Sequence, residues 1–237
     1  MSARATSPAL CAAAFAAALT CCGLLTDERP AGAATAPAGQ SAALREVVFD
    51  VSYARSVGGA ETTGSRDHGT VTVDVMAVRN NALGVKITQR WTRNPTALVA
   101  LGTIEPAGQL DFAPGALSDA AVQLLPFFAP LFAPQTLGSV GVAWTVTEHR
   151  PPLDARTRYA VTGIQGMAVT IKIVQSISIS DATHARISAS GAVVYEPHLL
   201  VPLSGDITRK LTATVGTPAK TITLQLHFAR SSDTREP

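Results

Sequence analysis

The sequence predicts an all-β protein: a strongly curved antiparallel sheet or incomplete barrel of about 10 strands, with one short helix and an apolar plug loop. Three observations predict it. From Val47 onward apolar residues recur with period two rather than 3.6, the spacing of half-buried strands. Turn-forming residues separate these runs, among them Gly58-Gly59, Asn80-Asn81, Gly163, Gly166, Gly191 and Gly205. One stretch, from Ser118 to Pro134, breaks the rhythm with helix-forming residues and then three prolines.

In chain order the first element is a leader. Arg4 precedes an uncharged, Ala-rich run from Ala9 to Leu25, which Asp27, Glu28 and Arg29 close. This is the layout of a secretory signal, and the run is short and weakly apolar for a retained membrane span. Two processing routes fit. Cleavage after Ala33, in Ala31-Gly32-Ala33, makes residues 1–33 a leader. Alternatively, Leu19-Thr20-Cys21-Cys22 resembles a bacterial lipobox with Cys22 as the lipidated residue, Cys21 standing where Gly or Ala is usual. Either route implies export, to the periplasm or the cell envelope, with residues 34–43 as a flexible Ala/Pro/Gly linker. Membrane association is then expected only through a lipid anchor.

Residues 44–230 are expected to form a single all-β domain, followed by a polar tail at 231–237. Hydrophobic residues make up 46% of the chain and charged residues 15%, which excludes a disordered body and favours a buried core. All three cysteines, Cys11, Cys21 and Cys22, fall in the leader, so the domain carries no disulfide and must be stable through packing alone. A formal charge of +2 gives no steering toward nucleic acid.

The strands follow. Val47, Phe49, Val51 and Tyr53 share one face, as do Val71, Val73 and Val75. Asn80-Asn81, between this run and Val85 to Trp91, suits a hairpin because Asn tolerates left-handed backbone. Similar runs appear at 142–146, 159–161, 169–173, 177–179, 193–195 and 207–215, and in the last, 222–228, Ile222, Leu224, Leu226 and Phe228 alternate cleanly with polar residues. Between them Ser118 is an N-cap for a helix reaching Leu125, and Pro126 ends or kinks it.

The segment from Leu124 to Pro134 holds Leu124, Leu125, Phe127, Phe128, Leu131 and Phe132 without a charge. A stretch this apolar must be buried, inserted in a membrane or placed over a ligand. Two roles therefore compete: a plug that completes the core of a sheet too curved to close, or a lid over an apolar ligand. Trp91 and Trp144 flank it in sequence and are expected to anchor the same apolar site.

Patterned chemistry is missing elsewhere. Asp67-His68, expected in a polar loop, lacks the third orienting group and the pocket that catalysis needs, and in Glu148-His149 and Glu196-Pro197-His198 neighbours in an extended chain point to opposite faces. No metal-binding spacing, nucleophile elbow or phosphate-binding loop occurs, so no metal, cofactor or catalytic residue is assigned. In strand number, inserted plug and leader the chain resembles the half-barrels of bacterial periplasmic lipoprotein carriers and related lipid-binding lipoproteins. The leading expectation is a non-enzymatic carrier or sensor of an apolar, lipid-like ligand. A structural or adaptor protein of the envelope, partnered by another envelope protein, comes next. An all-β hydrolase with a Ser, a His and an acid drawn from scattered positions is the third.

Overall fold

The structure is a computed structural model that describes residues 45–58, 63–106, 108–129, 137–150, 152–180, 185–198, 201–213 and 220–235. The leader with Cys22, the linker, and Leu131 and Phe132 of the plug lie outside the described residues.

Among the described residues eleven antiparallel strands form one unclosed sheet. They are β1 (Arg45–Gly58), β2 (Thr63–Arg79), β3 (Ala82–Trp91), β4 (Asn94–Ile104), β5 (Leu110–Phe112), β6 (Ala143–Arg150), β7 (Leu153–Gln165), β8 (Ala168–Ile179), β9 (Arg186–Glu196), β10 (Val201–Ala213) and β11 (Lys220–Arg235). Their order is β5-β4-β3-β2-β1-β11-β10-β9-β8-β7-β6. The two ends of the chain therefore meet in the middle, where β1 pairs with β11 from Arg45↔Arg235 to Gly58↔Thr221. Strand pairing carries β11 past the expected boundary at residue 230, so 231–235 belong to the sheet rather than to a tail.

The local chemistry matches the pattern read from the sequence. Asn80 and Asn81 turn the β2–β3 hairpin with φ of 51° and 64°, the left-handed pair that a two-residue hairpin loop needs. In β11, Ile222, Leu224, Leu226 and Phe228 are buried while Gln225 and His227 are exposed. Asp67-His68 departs from expectation: the polar stretch is not a loop but the start of β2, paired with Tyr53 and Ser52 of β1. Polar side chains do not prevent a ladder when a neighbouring strand offers its backbone.

Between the edge strands β5 and β6 the chain leaves the sheet. Helix α1 (Asp119–Leu124) begins at Ser118, whose Oγ accepts from the Ala121 N–H at 3.2 Å. It runs into a 3-10 turn, Leu125–Phe128, with Pro126 in its first positions, where the missing N–H costs nothing. This turn touches both β4 and β10. Those strands are five places apart in the sheet, about 24 Å if it were flat, whereas a four-residue 3-10 turn rises only about 8 Å. The sheet must curl around the plug to bring both strands to it.

The inner face of the curl carries two apolar clusters. One gathers Val47, Phe49, Val51, Val73, Ile87, Ile171, Val193 and Phe228 around the plug residues Leu124, Leu125, Phe127 and Phe128. The other, formed by Leu153, Ile177, Ile187, Leu211, Ile222 and Leu224, consists of sheet residues and Ala185 beside β9.

Candidate functional site: the plug and its latch

The plug is seated mainly by aromatic contacts. Phe128 meets Phe49 edge to face, with ring centroids 5.6 Å apart, and Phe127 stacks on Phe228 at 6.1 Å. Phe228 in turn packs edge to face on Phe49 at 5.9 Å, so strands β1 and β11 and the plug share one aromatic knot. Gly205 makes room for it: a Cβ there would lie 2.6 Å from the Phe228 ring.

Of the residues singled out in the sequence, Leu124, Leu125, Phe127 and Phe128 come together here, all buried. Trp91 closes β3 and joins the same cluster, 9% exposed. Trp144 is half-buried on β6 at the opposite edge, stacked on Tyr159 at 5.1 Å, and packs against the cluster from that side. Burial this complete makes the plug part of the core in the state observed.

Three polar contacts tie the plug to the sheet. Fully buried Gln89 of β3 donates through Nε2 to the Ala116 carbonyl at 3.3 Å, and its Oε1 accepts from the Ser118 N–H at 3.0 Å. Tyr53 of β1 donates its O–H to Asp119 Oδ2 at 2.9 Å. Burial, reinforced by the adjacent Asp119 carboxylate, raises the Tyr53 hydroxyl far above its ordinary pKa, and the charges of Arg55 and Arg209 act on the same hydroxyl in the opposite sense.

Register shows why those arginines are close. Thr157, Gln175, Ala189, Arg209, Leu224 and Arg55 form one transverse row on the inner face, from β7 through β8, β9, β10 and β11 to β1. Gln175 Nε2 donates to Thr157 Oγ1 at 2.9 Å within it. Four of the six side chains in this row are polar, and it marks where the plugged cluster gives way to the second one, to which Leu224 belongs. Sequence reasoning passed over Gln89, Arg55 and Tyr53 as site residues. The signal was present: each occupies an inward position in an alternating run, and a polar residue on an apolar face must have a partner.

Trp91 Nε1 on β3 and Gln123 Oε1 on α1 are buried without a hydrogen-bond partner among the described residues. Both belong to the plug and the sheet around it.

The histidines form no such site. His149 lies 3.8 Å from Asp154 on an exposed hairpin, His198 is exposed, and His184 is outside the described residues. Asp67 and His68 alternate across β2, and Asp67 Oδ1 instead accepts from the backbone N–H groups of His68 and Arg93. His227 Nδ1 is 2.7 Å from Asp206 Oδ1, and Ser52 is the register partner of His227, which places a Ser, a His and an acid in one row. That row faces outward, with the His227 and Asp206 side chains 55% and 80% exposed. Because β1 and β11 are flanked on both sides, their backbone N–H groups are committed to the sheet and supply no oxyanion donors. No cluster of three or more metal-ligating side chains is found among the described residues. No described helix is long and apolar enough to cross a membrane.

No protein family model matches the chain, and no curated protein matches it. Among solved structures it is similar to the "Crystal Structure of Rv2717c from M. tuberculosis", at 14% identity over 85% of this chain and 99% of that one, with a TM-score of 0.27.

Proposed function

We propose that this protein is a non-enzymatic carrier or sensor of an apolar, lipid-like ligand, exported to the cell envelope, and that residues 116–129 are the lid of its binding site. One observation carries this reading. Among the described residues the plug supplies most of the inner core that lies outside the strand ladder, and it falls in the connection between the two edge strands β5 and β6. Swinging it outward breaks no strand pair. It exposes an apolar face already lined by Phe49, Phe228, Ile171 and Val193, and a ligand there would recover the burial that the plug residues give up. The two unpartnered polar atoms at this boundary suit a ligand with a polar end.

The test is uptake of an apolar fluorescent dye by the wild type and by Gln89→Ala, which removes two of the three polar ties. The reading predicts saturable binding, reached faster in the variant. Absence of binding, or equal rates in both proteins, contradicts it.

A second reading, an envelope adaptor, is favoured by the free edge of β4. Among the described residues 94–101 pair only with β3, because β5 covers only 102–104. That edge has no charged residue and exposes Leu98, Val99 and Leu101. Uncharged edges accept an added strand from a partner.

A further inference from the structure

The seated plug brings its carboxylate, Asp119, to a position on the inner face where cations are concentrated. Arg55 and Arg209 flank Leu224 in the polar row, two strands apart, about 10 Å between their backbones. Arg55 and Arg209 sit one inward row along from Tyr53, Leu226 and Ile207, which places both beside Tyr53, and both charges act on its hydroxyl. Each arginine makes further interactions within the chain, and both are half-buried. Around them lie apolar residues on both sides: Leu226 and Ile207 toward the plug, and Ile222 and Leu211 toward the second cluster. Two guanidinium groups and a phenolic O–H, set in an apolar wall, match the needs of a carboxylate attached to a hydrocarbon. A carboxylate, that of Asp119, already accepts from the phenolic O–H, and it belongs to the lid.

We infer that Tyr53, Arg55 and Arg209 form the head-group site for a single-chain anionic amphiphile, and that Asp119 occupies this site as a surrogate carboxylate while the plug is seated. The inference rests on the carrier reading and names its ligand class. It also couples binding to opening. An incoming carboxylate competes with Asp119 for the same donor and the same positive field, so the head group that binds is the one that releases the latch. A neutral amphiphile has no means of doing so and must wait for the plug to open unaided. Trp91 Nε1, on the same inner face two strands from Tyr53, is one more donor without an acceptor among the described residues.

The experiment compares a fluorescent long-chain polyene carboxylic acid with its methyl ester, the same chain without the charge, at neutral pH. The wild type is expected to bind the acid at least about tenfold more tightly than the ester. Arg209→Gln and Arg55→Gln should bring the two affinities together by weakening the acid alone. Asp119→Asn keeps the shape of the latch but removes the competing charge, and should raise affinity for the acid more than for the ester. Equal wild-type affinity for acid and ester overturns the head-group site while leaving the carrier reading standing. Failure of the wild type to bind either probe overturns both. Because the acid-to-ester ratio is measured first on the unaltered protein, a variant that fails to fold does not remove the test.

Discussion

Tyr53 shows how one side chain links stability to the state of the plug. Its hydroxyl is half-buried and donates to a carboxylate, so ionising it would strand a second negative charge beside Asp119. The folded pKa is raised above the ordinary 10.0. Above pH 10 the unfolded chain releases this proton while the folded chain keeps it, so the group's contribution is complete below pH 10 and is lost as pH rises beyond it. Thermal melts from pH 8 to 11 should show the wild type losing stability above pH 10 more steeply than Tyr53→Phe. Parallel curves would mean that the hydroxyl is not sequestered. At this scale the site was half legible. Alternation places Arg209 between Ile207 and Leu211 on an apolar face, and the same logic applies to Gln89 and Arg55. What the sequence does not encode locally is the partner: Gln89 meets Ala116 and Ser118 only because the chain folds back from 27 and 29 residues away.

Elements with strict alternation or strong capping chemistry were read correctly, and those governed by neighbours were not. The helix from Ser118 and the Asn80-Asn81 hairpin follow from local rules that tertiary structure had no reason to override. By contrast, β4 was missed because Pro95 and an unbroken run from Thr96 to Leu101 hide its period. Proline is acceptable there since no described strand pairs with that end of β4 on its outer edge. The two runs 169–173 and 177–179 are one strand, β8, interrupted in pattern by Gln175, which turns inward to reach Thr157. The aromatic knot was equally hidden, because Phe49, Phe128 and Phe228 meet only through the β1–β11 pairing and the plug. Phe128→Ala should cost about 3 to 5 kcal/mol in urea unfolding, the range for emptying a packed aromatic site. Gly205→Ala should also destabilise, since the added methyl would overlap the Phe228 ring. A loss below about 1 kcal/mol for Phe128→Ala would show that the plug contributes little to the core.

As a whole the molecule is a curled sheet whose closure is left to a non-sheet segment. The all-β class and the inserted plug were visible in periodicity and composition, because both arise from residue patterns that any fold of this chain must satisfy. Sheet order was not, since nothing in the spacing of strands says that the first and last lie side by side. The same architecture puts an apolar face under a cover that takes no part in the strand ladder, which is the basis for reading the protein as a carrier. That central claim is tested most directly by native mass spectrometry of the protein purified from its own cells without detergent exchange, followed by organic extraction of anything that accompanies it. The carrier reading predicts a stoichiometric lipid-like adduct, and the head-group site further predicts that the adduct is acidic. A clean protein mass, unchanged after incubation with long-chain carboxylates, would contradict it.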